Sequence, residues 1–213
     1  MTQPTISFKP LYLVSLFVAL NILSVAASTK VVSIFGWGLP GGSIIIALVT
    51  IFVGILAELY GSKFVSKITT LSLIMSWIWI LTMAILVFVP RFSGWENQEA
   101  FSSIFGFSFR IGFAGLLTVL VNFNVRSFIN STKIITNKYL RNYTGSVISQ
   151  LVDSVMFTTL AFYGTMPNGN IWQIMWQGFI IKMIIELVFG LFQPAIVNIL
   201  KKYRFDSWTV EVK

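Results

Sequence analysis

Six apolar runs, each of about 20 residues, divide this chain and limit what it can become more than any other feature. A bilayer core is about 30 Å thick, and a helix needs a run of that length to cross it. Lipid offers the backbone no hydrogen bonds, so each run must satisfy its own polar groups by coiling into a helix. The runs fall at about 11–27, 43–60, 68–89, 101–125, 145–163 and 171–200. The expected fold is all-α. It is a polytopic membrane protein with six transmembrane helices in one bundle, and residues 1–213 form one domain. Composition agrees, with 10% charged residues and a mean hydropathy of +0.84, where soluble domains carry about 25% charge.

The first run follows a short polar start, MTQPTISFKP, and lacks a small-residue cleavage site. It reads as a membrane helix rather than a signal peptide. The connections are read as loops, among them the turn-rich GWGLPGG at 36–42 and the uncharged TMPNGN at 165–170. Gly61, directly after Tyr60, suits a helix C-terminus. Pro194 marks a kink in the sixth helix.

The net charge of +8 raises the question of nucleic acid, but the basic residues sit at helix ends and in short links rather than on one soluble face. Lys9, Lys63, Lys67, Arg126, Lys133, Lys138, Arg141, Lys201, Lys202, Arg204 and Lys213 fall on one side of a six-helix topology. Lys30 and Arg91 fall on the other. The positive-inside rule places both termini in the cytoplasm. Cysteine and histidine are absent, which removes thiolate chemistry, the commonest metal ligand and the side chain best suited to relaying protons near neutral pH. Proton coupling would have to use carboxylates. No phosphate loop, HExxH or GxSxG pattern occurs, so the chain reads as a non-enzyme with no cofactor and no metal.

Four charges lie inside the apolar runs: Arg110 in the fourth, Asp153 in the fifth, Lys182 and Glu186 in the sixth. A charge at mid-bilayer costs about 2.5–3.5 kcal/mol on insertion scales, so mutual pairing is expected. Lys182 and Glu186 are four residues apart and suit a pair on one helix. Arg110 and Asp153 are left as an interhelical pair. Such pairs either lock helices around a dry core or line a polar cavity. In the second case Asn21, Asn124 and Gln150 add amides. Arg110 and Asn124 share a helix face, while Asn122 points elsewhere. Phe157, one turn beyond Asp153, suits stacking on a flat ligand or ordinary packing. Glu58, at the end of the second helix, is either a site residue or an interfacial acid satisfied by water and Lys63. Trp77 and Trp79 face either lipid or a cavity.

The stretch LRNYTGSVISQLVDSVMFTTLAF at 140–162 resembles the signature of the queuosine precursor transporter family, also called the vitamin uptake transporter family. Arg141, Asn142, Ser149, Gln150, Asp153, Ala161 and Phe162 carry the match, with Ser154 where the family usually has Thr. Asn21 with Lys30, Glu58-x-Tyr60-Gly61, Arg110-Ile111 and Lys182 are similar to further family positions. Gly54 departs from the pattern, since many members carry an Asp there. Val121-Asn122-Phe123-Asn124 also departs, in place of a Gln and an Asp. The resemblance implies import of 7-deazaguanine bases across the bacterial inner (plasma) membrane by a secondary transporter or facilitator. The alternatives are a binding subunit served by a separate ATPase complex, or a vitamin-like importer of other specificity. The implied partners are a small-molecule base and the bilayer, with a homo-oligomer admitted and nucleic acid left out. The expected substrate-binding set is Asp153, Gln150, Arg110, Asn21, Glu58, Glu186, Lys182, Phe157 and Asn124.

Overall fold

A computed structural model describes residues 8–131 and 138–205. Lys133 and Lys213 of the basic set lie outside the described residues, as does most of the polar tail. The six helices are α1 (Lys9–Ala27), α2 (Gly42–Tyr60), α3 (Ser62–Phe88), α4 (Gln98–Ser131), α5 (Lys138–Phe162) and α6 (Asn168–Lys202). Each contains a stretch long and apolar enough to cross a membrane. Helices α3 to α6 begin before the apolar runs do, because polar first turns extend a helix that the apolar stretch has already nucleated. Gly61 ends α2 with φ +86°, a conformation that its missing Cβ permits, and its N–H donates to the Ala57 carbonyl at 3.0 Å.

The helices close into a ring. Going round it, α1 packs on α2, α2 on α6, α6 on α5, α5 on α4, α4 on α3, and α3 again on α1. Lys9 Nζ donates to the Tyr203 carbonyl at 3.1 Å, so the start of α1 and the end of α6 lie at the same end of the bundle. That end is filled by two apolar clusters, one around Leu13, Phe17, Leu56 and Val65, the other around Ile51, Ile55 and Val197.

The opposite end differs from the loop expected there. Strands β1 (Val31–Ile34) and β2 (Trp37–Pro40) pair antiparallel as a hairpin. Both residues of its tight turn, Phe35 and Gly36, have positive φ, the backbone that matches strand twist in two-residue turns. Strand β2 lies on α6, where Gly38 N–H donates to Gln177 Oε1 at 2.6 Å and Leu39 is fully buried. The β-branched Val31, Val32 and Ile34 favour a strand once α6 offers β2 a surface, and composition alone conceals this behind the glycines.

Candidate functional site

All six helices line one central cavity of about 140 Å³ in the hairpin-side half of the ring. Pro40 of β2 lies at its edge. The walls are mostly apolar, with the rings of Trp77 from α3 and Phe157 from α5 among them. Its volume is on the scale of the ~150 Å³ cavity that accepts a single aromatic ring. Polar atoms come from Asn21 and Ser24 on α1, Ser28 directly after it, Ser43 on α2, Ser76 on α3, and Ser154 and Thr158 on α5. Among the described residues, two charged side chains line it, Asp153 and Lys182.

Those two charges form the ion pair of the site. Lys182 Nζ lies 2.6 Å from Asp153 Oδ2, and Asn122 Nδ2 donates to the other carboxylate oxygen at 3.2 Å. Three helices thus converge on one carboxylate. Lys182 is 4% exposed, and the pairing offsets part of the cost of burying its ammonium. Beside the pair, the Ser154 hydroxyl is buried and has no hydrogen-bond partner. Buried polar groups are nearly always satisfied, so this hydroxyl is available to something that enters the cavity.

The pairing therefore differs from the one expected. Arg110 does not meet Asp153. Its Nε donates to the Leu160 carbonyl at 2.8 Å and its Nη2 to the Tyr163 carbonyl at 2.5 Å. The last carbonyls of a helix lack intrahelical partners and carry partial negative charge, which a guanidinium satisfies. Asp153 lies nine residues before the end of α5, about 13 Å away along the axis, out of reach of that anchored arginine. Lys182 and Glu186 do not pair locally either. A lysine four residues before a glutamate is the weaker of the two helix orders, and Asp153 faces Lys182 across the α5–α6 contact.

Glu186 instead accepts from Ser146 Oγ at 2.7 Å and from Gln150 Nε2 at 3.1 Å. Neither Gln150 nor Glu186 lines the central cavity. Glu186 borders a separate groove between α2, α5 and α6. Glu58 also stands apart, accepting from Gln193 Nε2 at 3.1 Å near the terminal end. That glutamine lies against Gly54, where an added Cβ would sit 2.8 Å from its Oε1. Gln193 thus fills the space beside Gly54.

Asn21 lines the cavity, with its amide donating to the Phe17 carbonyl at 2.9 Å. Asn124 is exposed, donates to the Leu120 carbonyl at 2.8 Å and does not reach the cavity. Its neighbour Asn122, expected to point away, is the one that meets Asp153. Of the nine expected residues, Asp153, Lys182, Asn21 and Phe157 line the cavity, while Gln150, Arg110, Glu58, Glu186 and Asn124 do not. Trp77, Ser76 and Ser154 do, although the expected set omitted them. Ser72 and Ser76, four residues apart in an apolar helix and both buried, were the readable signal that α3 turns a polar stripe inward.

No solved structure matches this chain. A protein of Bacillus subtilis (strain 168) named "Probable queuosine precursor transporter" is 28% identical over 187 residues, which cover 81% of this chain and 79% of that protein. A transporter family, rather than an enzyme family, accounts for most of the sequence. The family model described as "Putative vitamin uptake transporter" matches residues 40–196, about three-quarters of the chain, and takes in α2 to α5 and most of α6, so this multi-pass membrane protein belongs to that family.

Proposed function

We propose that this protein imports an uncharged 7-deazaguanine base, a queuosine precursor, through the central cavity. It acts as a secondary transporter or facilitator, a single six-helix domain in the bacterial inner (plasma) membrane with both termini in the cytoplasm. The observation that carries the reading is the Asp153–Lys182 pair, steadied by Asn122 and set beside the unsatisfied Ser154 hydroxyl in an aromatic-walled cavity. The pyrimidine edge of a deazaguanine presents N–H donors that complement a carboxylate. Its ring carbonyl accepts from an ammonium or hydroxyl, and its flat face suits Trp77 and Phe157. The two lining charges cancel, so the cavity favours a neutral base, such as the cyano form, over one bearing an aminomethyl cation.

The test is restoration of queuosine in tRNA. A host that neither makes nor imports the precursor is given the chain and a supplied base. Restoration is expected with the cyano base. Asp153→Asn is expected to abolish it while the protein still inserts at normal levels. Uptake retained by that variant removes Asp153 from the base's site. Uptake by the purified chain alone in liposomes separates a self-sufficient transporter from a subunit that needs an ATPase complex.

A further inference from the structure

Glu186 lies 18 residues into the 35-residue α6, about 27 Å from its start at 1.5 Å per residue. It lies within the spanning part of α6, level with the first two turns of the spanning stretch of α5, where an unneutralised carboxylate still carries a cost. Asp153 meets that cost with Lys182 at 2.6 Å. Glu186 has only the neutral donors Ser146 and Gln150, and no cation lies within ion-pair distance of it among the described residues. We propose that Glu186, held by Ser146 and Gln150, is the site at which a coupling proton binds and leaves. This rests on the transporter reading and adds the ion that energises it.

Three features of the surroundings support a proton site. Glu186 opens on a groove of about 650 Å³ that shares no lining residue with the central cavity, so the ion and the base have separate places. The groups around the carboxylate are hydrogen-bond donors. Ser146 offers O–H, and Gln150 turns its amide nitrogen rather than its oxygen toward Glu186. Hard cations need a shell of oxygen ligands, which this arrangement does not present. Finally, the contact spans the same two helices as the Asp153–Lys182 pair. Gln150 and Asp153 are three residues apart on α5, and Lys182 and Glu186 are four apart on α6.

The chemistry is a simple exchange. A proton from one compartment adds to a carboxylate oxygen and gives a neutral carboxylic acid, which later returns the proton to the other compartment. The protonated oxygen becomes a donor and no longer accepts from Ser146 or Gln150 in the same way. A change in this α5–α6 contact then acts on the neighbouring pair that faces the base. Among the described residues, no other titratable group lies within hydrogen-bond distance of the carboxylate. From α5 the facing groups are Ser146 and Gln150, and from α2 the groove is lined by Thr50, Val53 and Gly54. The charged side chains farther along these helices are Asp153 and Lys182, paired with each other, and Glu58, which accepts from Gln193; Lys138 and Arg141 stand in the first turn of α5, and Lys201 and Lys202 in the last turn of α6.

The full chain in liposomes with labelled 7-cyano-7-deazaguanine provides the test. Counterflow against preloaded base reads the base's site alone. An inward proton gradient of one pH unit is expected to drive about tenfold accumulation at one proton per base. Glu186→Gln is expected to keep counterflow and lose accumulation, and Glu186→Asp to keep part of it. Three results overturn the proposal: accumulation by Glu186→Gln equal to the native chain, a sodium gradient replacing the proton gradient, or loss of counterflow in Glu186→Gln but not in Glu186→Asp. Infrared difference spectra on a pH jump supply a readout independent of the base. A carboxylic-acid carbonyl band is expected in the native chain and absent from Glu186→Gln, and its presence in both overturns the proton site. Absence of counterflow in the native chain counts against the base alone, and the infrared band still decides the proton site.

Discussion

Two carboxylates face each other's helices across the same contact, and their surroundings differ in one respect. Asp153 on α5 has a full ammonium partner from α6 and an amide from α4. Glu186 on α6 has a hydroxyl and an amide from α5, both neutral. Inside a bilayer-sized bundle that difference separates two kinds of work. A paired carboxylate is held in position, a pre-organised acceptor for whatever enters the cavity beside it. A carboxylate with neutral partners has no opposing charge beside it, which is the ground for the proton site proposed above.

The comparison is broken most severely by removing the ammonium. Lys182→Met leaves Asp153 buried without its cation, and a loss of about 3–5 kcal/mol is expected by thermal unfolding in detergent. The double variant Asp153→Asn with Lys182→Met is expected to regain most of that stability while remaining unable to take up base. Failure to regain it shows that the pair contributes more than mutual neutralisation. Arg110→Ala removes two charge-assisted bonds to the end of α5. It is expected to cost about 2–3 kcal/mol of stability. Base affinity in the solubilised chain is expected to stay within twofold, since Arg110 does not line the cavity.

Smaller changes sharpen the contrast. Ser154→Ala deletes a hydroxyl with no partner in the folded protein, so unfolding is expected to stay within about 0.5 kcal/mol. Base affinity is expected to fall about fivefold, the equivalent of about 1 kcal/mol for one hydrogen bond. An unchanged affinity means that the base does not use this hydroxyl. Ser146→Ala withdraws one of two neutral donors from Glu186. The expected loss of stability is about 1 kcal/mol, seen as a modest drop in Tm. A loss as large as that of Lys182→Met erases the distinction between the two carboxylates.

Much of the membrane architecture was legible in advance because it depends on local chemistry. Gly61 as a helix end follows from the absence of a Cβ, and each spanning helix follows from run length. The hairpin was hidden because Val31–Pro40 is too short and too glycine-rich to declare itself without α6 beneath it. Within the candidate site, Asp153 and Lys182 stood out as costly charges in apolar runs. Asn122 did not, because its role depends on how α4 is rotated against α5, and sequence spacing gives only faces within one helix.

By itself the amino-acid sequence determined six membrane spans and a set of mid-helix charges that sum to zero. Its signature also pointed to the family that the comparison with known proteins then established. Hydrophobic burial and backbone hydrogen bonding in lipid act residue by residue, and so they can be read from the chain. Which cation meets which carboxylate was decided only by the tertiary structure. The closed ring sets the height and rotation of each helix, placing Lys182 opposite Asp153 and Arg110 at the end of α5. Glu186 is thereby left with neutral neighbours. Ion pairing falls off within a few ångströms, whereas helix positions depend on contacts spread over the whole bundle.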